Sequence, residues 1–229
     1  MFCGDLTKER FGLSDEDYQY LIENTNTVIN SVASVKHYGS YQFFYETNVK
    51  SVSRQIEFCK ASKAKLIHVS TTSVAGNDFD NQVSFNGEME EREFTEHDLY
   101  IGQPLDNVYV RSKFEAEKAV LEAMTDGLQA NIMRMGNLTN RRSDGKFQRN
   151  YKSNAFLNRI KAIVELGCIP DYLLDLYSEF TPIDDAANVV MTITRHFRDD
   201  RNVFHVENTN VLAFRKMLAH LYSLGIPME

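Results

Sequence analysis

Apolar positions along the chain follow two rhythms. Short runs bounded by polar or turn residues, at 27–31, 65–71, 129–136 and 203–206, read as buried strands. Between them lie longer segments of helical period. Residues 43–62 place Phe44, Thr47, Val52, Ile56 and Cys59 on one face, and 108–124 is strongly helical. Ser14 caps a predicted helix over 15–23, whose first turn carries Asp15, Glu16 and Asp17 where acids complement the helix dipole. Further helices are predicted at 154–166, from near Asp184 with that carboxylate as cap, and at 211–224. Residues 1–6 read as the end of a strand, which suggests a chain truncated at its start.

Composition narrows the class. The 229 residues are 43% hydrophobic and 25% charged, ordinary for a globular protein with one good core or a core plus a small subdomain. No apolar stretch reaches the roughly 18 residues that span a bilayer, and the start is not a signal peptide, so a cytoplasmic location is expected. Cys3, Cys59 and Cys168 lack disulfide arithmetic and metal-ligand spacing and read as free thiols. A net charge of −7 argues against general nucleic-acid binding. Against that acidic background, Arg141, Arg142, Lys146, Arg149, Lys152, Arg159 and Lys161 face only Asp144 within their stretch. Such a cluster is either a solvated helix face or a steering surface for an anionic partner. Between Gly76 and Tyr109 the chain carries nine acids and the single base Arg92, which reads either as a solvated acidic loop or as a gate beside a site.

The candidate chemistry starts at Tyr109 and Lys113. Four residues apart at a helix start, they share a face, and an ammonium beside a phenol lowers the phenol's pKa, making Tyr109 a proton donor to a developing alkoxide. By itself this spacing is also what a packed Tyr and a solvated Lys would show. Upstream, the 65–71 strand ends in Ser70 and Thr71 before a turn that reaches Gly76. The carboxyl ends of strands are where open α/β sheets bind their ligands.

In this order, Thr71, Tyr109 and Lys113 resemble the catalytic residues of the extended short-chain dehydrogenase/reductase superfamily. Gly4-Asp5-Leu6, Arg134 with Gly136 and Asn137, and Thr181-Pro182-Ile183-Asp184 sharpen the likeness to the terminal thioester reductase domain of nonribosomal peptide synthetases. The resemblance implies an α/β fold: a Rossmann-like doubly wound parallel sheet, with its first βαβ unit missing, and a small C-terminal substrate subdomain. A partial NAD(P)-binding domain would occupy 1–140. A substrate-binding and carrier-docking subdomain, with elements returning to the Rossmann body, would occupy 141–229. None of the eleven glycines lies within three positions of another, so no phosphate-binding glycine fingerprint exists in this chain.

The implied activity is NADPH-dependent reductive release of a carrier-bound aminoacyl or peptidyl thioester as an aldehyde, or on to the alcohol. Thr71, Tyr109 and Lys113 would be catalytic. The cofactor would meet Asp5 and Leu6 at its adenine, the small-residue loop Ser31, Val32 and Ala33, then Ser70, Tyr109 and Lys113, and the backbone amides of Gly136 and Asn137. Asn48 would support Lys113 through a water or backbone contact; its plainer reading is an exposed polar residue, as Asp5 is equally an ordinary turn acid. The partner would be a phosphopantetheinylated carrier domain docking on Arg141, Arg142, Lys146, Arg149 and Lys152. Two other readings stay open. A sugar-nucleotide epimerase or dehydratase shares the triad, although such enzymes commonly have Pro where Val108 precedes the Tyr; a non-catalytic NAD(P)-sensing regulator would keep the fold and commonly lose the Tyr/Lys pair.

Overall fold

The computed structural model describes residues 1–36, 38–76, 93–149, 151–199 and 202–226. It divides into two compact units, Met1–Arg134 with Ile193–His205, and Met135–Thr192 with Val206–Glu229. The division falls at the end of a central strand, ahead of the expected boundary at 140, and the return of 193–205 to the first unit makes that unit discontinuous in sequence.

The first unit is organised by a sheet of four strands, β1 (Thr27–Asn30), β2 (Lys65–Thr71), β3 (Ala130–Met135) and β7 (Val203–Val206), in the order β1-β2-β3-β7. β1 and β2 run parallel, with Asn30 opposite His68. Every residue of β3 is buried, as expected of a strand covered on both faces. Two helices flank β2 in sequence, α3 (Ser51–Ser62) before it and α4 (Val108–Thr125) after it. Val52, Ile56 and Cys59 from α3 and Ala116, Val120 and Ala123 from α4 pack with Leu66, Ala130, Ile132 and Val203 in one core. Burial pushes the Cys59 thiol up to about 12, so it behaves as a small apolar group.

α1 (Asp15–Asn24) forms as read, with Ser14 Oγ accepting from the Asp17 amide at 3.1 Å. The helix expected over 43–62 is instead three pieces: α2 (Tyr41–Phe44), a π turn (Tyr45–Lys50) and α3. The π turn carries the buried Asn48, whose bonds to other segments explain the local widening. Residues 1–6 form no strand. They are tied down by the Glu9–Gly12 turn, in which Arg10, Phe11 and Gly12 are all left-handed (φ 49°, 59° and 66°). That conformation is costly for non-glycine residues. It is offset by Phe11, which enters the core against Tyr18 and Phe58 with ring centroids 5.6 and 5.4 Å away.

In the second unit, α5 (Ala155–Leu166) is capped by Asn154, and β4 (Leu138–Thr139) pairs with β6 (Thr181–Pro182). α6 spans Ile183–Arg195, so Asp184 sits in its first turn and does not cap it. Its carboxylate accepts instead from the amides of Arg142 (2.9 Å) and Ser143 (3.1 Å), and the Arg142 bond foremost holds its pKa at about 2. The helix expected over 211–224 is shorter: β5 (Tyr177–Ser178) pairs with β8 (Leu212–Ala213), and α7 covers Phe214–Ser223. Ile163, Ile169, Phe214 and Met217 form this unit's core.

Candidate active site

The site is assembled where β2 ends and α4 begins. Asn107 starts α4 by accepting from the amides of Tyr109 (2.9 Å) and Val110 (3.2 Å), which places Tyr109 in the first turn. Thr71, the last residue of β2, accepts from the Ser73 amide at 3.2 Å and is hydrogen-bonded to the Tyr109 phenol. Because Thr71 Oγ1 already accepts from the backbone, its own proton is available to the phenol oxygen. The turn after Thr71 reaches Gly76, whose φ of 85° suits glycine and whose absent Cβ would lie 2.9 Å from Gln103 Cβ. Gln103, itself buried, donates to the carbonyls of Val74 (2.9 Å) and Leu99 (2.7 Å), fastening the far side of the connection to the strand end.

Lys113 lies one turn beyond Tyr109 and is 3% exposed; its Nζ donates to the Val69 carbonyl at 2.7 Å. Burial lowers its pKa to about 8, against a smaller upward pull from Glu117. The phenol behaves differently from the sequence expectation. Burial raises the Tyr109 pKa, and the Thr71 hydrogen bond opposes the rise. Desolvation is the larger effect, so the lowered phenol pKa expected from the sequence spacing is not what the site shows.

Asn48 is buried and fully engaged. Its Oδ1 accepts from the Ser34 amide (2.7 Å), and its Nδ2 donates to the Ser34 carbonyl (3.1 Å) and to Ser112 Oγ (2.9 Å). Ser112 in turn donates to the Tyr109 carbonyl at 2.8 Å. Asn48 therefore ties the loop after β1 to the first turn of α4, and none of these bonds goes to Lys113. In that loop Ser31 and Val32 are exposed and Ala33 half-buried, so its backbone can be approached. Ser70, expected at the cofactor, commits its hydroxyl to Glu117 Oε2 at 2.8 Å and is buried.

Glu117 and Arg134 were not assigned a role from sequence. Both are wholly buried, with Arg134 Nη2 and Nε 2.5 and 2.9 Å from Glu117 Oε1. Arg134 also donates to the carbonyls of Thr95 (3.0 Å) and Asp98 (2.6 Å), and its guanidinium lies 4.7 Å from the Phe94 ring. The signal was present: Glu117 extends the Tyr109 and Lys113 face by one more turn, and Arg134 interrupts an otherwise apolar run. The stretch 77–92, which holds most of the acids of the expected gate, lies outside the described residues.

Asp5 keeps its carboxylate low through bonds from Thr7 Oγ1 (2.6 Å) and the Thr7 amide (3.0 Å), and the Leu6 carbonyl accepts from Arg54 Nη1 at 3.4 Å. Gly136 and Asn137 belong to the second unit, where their amides are already used. Gly136 donates to the Val206 carbonyl (3.1 Å) and Asn137 to Glu179 Oε2 (2.6 Å). These amides are thus not available to a cofactor, contrary to expectation. A Cβ on residue 136 would stand 2.7 Å from Glu179 Cδ and 2.8 Å from Glu207 Cβ. Gly136→Ala is therefore expected to cost about 1–3 kcal/mol in chemical denaturation.

The basic stretch is more neutral than its sequence suggests. Arg141 and Lys146 pair with Asp144, and Arg142 with Asp185. A cavity of about 470 Å³ in this unit is lined by Leu138, Arg141, Lys146, Phe147, Arg149 and Ile183, among others.

A parallel sheet delivering Thr71, followed by a helix delivering Tyr109 and Lys113, defines an extended short-chain dehydrogenase/reductase. The chain belongs to the NAD-binding family described as male sterility protein, whose model matches residues 1–190. It is 30% identical, over 99% of its length, to the large subunit of L-2-aminoadipate reductase from Candida glabrata, and covers 16% of that protein. Among solved structures it is similar to a thiolation-reductase di-domain from an archaeal non-ribosomal peptide synthetase (35% identity, TM-score 0.85, 99% of this chain and 46% of that one). A second likeness is to the aureusimine biosynthetic cluster reductase domain (30% identity, TM-score 0.75, 90% and 53%). MoeE5 in complex with UDP-glucose and NAD (21% identity, TM-score 0.68, 96% and 68%) shares the fold. The chain thus spans about a sixth of the curated relative and about half of the solved reductase chains.

Proposed function

We propose that the protein reduces a thioester held on a phosphopantetheinylated carrier domain, releasing the acyl or peptidyl group as an aldehyde, with NADPH as reductant. The observation that carries this is the coupling of Thr71 to the Tyr109 phenol beside the buried Lys113. The likeness to a thiolation-reductase di-domain supports the carrier partner. The donor set fits the nicotinamide–ribose half of the cofactor: Lys113 keeps two further N–H groups beyond the one given to Val69, and the loop at Ser31–Ala33 offers exposed backbone. Asp5 and Leu6 we assign to the adenine, on resemblance and on the way Arg54 fixes the Leu6 carbonyl. When bound, NADPH supplies the hydride.

Tyr109 donates a hydrogen bond to the oxyanion that develops on the thioester carbonyl, while Thr71, whose single proton goes to the phenol oxygen, steadies the phenolate that Tyr109 becomes. Tyr109 then gives its proton to that oxygen. The phenol carries its proton at neutral pH and is the acid of the step, and the Thr71 hydrogen bond, which works against the upward shift caused by burial, favours its release. The resulting hemithioacetal splits to the aldehyde and the pantetheine thiol. Lys113 binds the ribose hydroxyls. Carrier docking falls chiefly to Arg149 and Lys152, because Arg141, Arg142 and Lys146 are already matched by aspartates. Among the described residues no helix is long and apolar enough to cross a membrane.

The test is NADPH oxidation by the full-length polypeptide with an aminoacyl-pantetheine thioester. Thioester-dependent oxidation yielding an aldehyde is the expected result; NADPH binding with no oxidation across several thioesters would refute it. Tyr109→Phe should retain NADPH binding and lower turnover about 10²-fold or more, by loss of the proton donor. Unchanged turnover would remove Tyr109 from that role.

A further inference from the structure

We propose that Asn30 and His68 form a positioning pair that sets the loop Ser31–Ala33 for the nicotinamide cofactor, and that the pair works only with the His68 proton on Nε2. The inference rests on the cofactor reading above and adds two residues to it.

His68 is fully buried on β2, opposite Asn30 on β1 in the parallel register. Asn30 Oδ1 accepts from the Val32 amide at 3.1 Å, and Asn30 Nδ2 lies 3.1 Å from His68 Nδ1. A backbone amide can only donate, so the carboxamide oxygen must face Val32 and its nitrogen must face the imidazole. His68 Nδ1 is then the acceptor, which leaves the ring proton on Nε2. That nitrogen is buried and has no hydrogen-bond partner among the described residues. Moving the proton to Nδ1 would set two donors against each other across 3.1 Å. Flipping the Asn30 amide would relieve that clash and create the same clash at Val32. Imidazole tautomer and loop conformation are therefore linked.

The surroundings maintain the arrangement. Burial, and then the charge of Lys113 on α4, hold the His68 pKa well below its ordinary value, so the ring stays neutral. Ser34, at the far end of the same loop, is gripped on both backbone groups by Asn48. The loop is thus held at Val32 by the β1–β2 pair and at Ser34 by the π turn; the exposed Ser31 and Val32 lie just before and at the first anchor, and the half-buried Ala33 lies between the two. His68 touches no reacting atom in this account; it acts through Asn30.

Two measurements on the full-length polypeptide test the pair. Long-range ¹H–¹⁵N NMR of His68 should report the Nε2–H tautomer, and the Val32 amide should be protected from hydrogen exchange. His68→Leu, which deletes the acceptor, should lose the Val32 protection and weaken NADPH binding about ten-fold, with turnover at saturating cofactor little changed, since only loop pre-organisation is lost. His68→Asn, which places an amide oxygen near the former Nδ1, should restore the affinity to within about three-fold. An Nδ1–H tautomer in the unmodified protein would overturn the proposal, as would a folded His68→Leu with unchanged affinity and Val32 protection. If His68→Leu does not fold, the tautomer decides. Should the unmodified protein bind no NADPH, the cofactor reading fails, and with it the assignment of the pair to cofactor binding. Tautomer and exchange would then report only whether the pair sets the loop.

Discussion

Replacing Lys113 by Met is expected to stop turnover and, at the same time, to make the protein more stable at pH 7. The ammonium is 3% exposed, and burial has brought its pKa from 10.5 to about 8. The folded state thus binds this proton less tightly than the unfolded chain, and stability should rise with pH between about 8 and 10.5 as the folded Lys113 is released from its charge. Below pH 8 the full cost of the buried charge is present, on the order of 3 kcal/mol for a shift of this size. Met removes that cost at similar volume but also the bond to the Val69 carbonyl, worth about 1 kcal/mol. The net gain of about 2 kcal/mol corresponds to a melting temperature higher by about 5 °C in a chain of this length. The gain should shrink towards pH 10, where the unmodified protein no longer carries the charge. Turnover should fall about 10³-fold, since the ribose hydroxyls lose the group that orients the nicotinamide against the Thr71–Tyr109 pair. A lower melting temperature at pH 7, or preserved turnover, would contradict this account. The same titration predicts that cofactor affinity in the unmodified protein weakens above pH 8.

What the sequence made legible followed from covalent neighbourhood and period. Ser14 caps its helix because capping is a local event between residues three apart. Tyr109 and Lys113 share a face because they are four apart on one helix, and β2 ends at Thr71 as its apolar run requires. The failures have a different origin: each depends on a partner distant in the chain. Asn48 was read as serving Lys113, yet it bonds Ser34 and Ser112, fourteen and sixty-four residues away. Asp184 resembles a cap but is claimed by the amides of Arg142 and Ser143. The amides of Gly136 and Asn137 looked open in a turn and are taken by Val206 and Glu179. The phenol pKa was read from one neighbouring charge, whereas burial, which no local pattern encodes, sets its direction.

Arg134→Met should be among the most destabilising substitutions in the first unit. Arg134 and Glu117 are both fully buried, and Arg134 answers the Glu117 carboxylate with two N–H groups while Ser70 supplies one more bond. Removing the guanidinium leaves the buried carboxylate with Ser70 as its remaining hydrogen-bond donor and only the weaker pull of Lys113 as counter-charge, a loss of about 3–5 kcal/mol. The carbonyls of Thr95 and Asp98 lose their donor in the same step, and Phe94 its cation. Two consequences separate this from ordinary loss of packing. Adding Glu117→Leu to Arg134→Met removes the stranded charge and should recover more than half of the lost stability, because a buried ion pair replaced whole by apolar residues is often neutral. Residues 94–98 should become sensitive to limited proteolysis in both variants, since their anchor is absent from both. Chemical denaturation of the two single variants and the double variant measures the coupling; equal stability of Arg134→Met and the double variant would show that the carboxylate carries no uncompensated charge and that Arg134 acts only by packing.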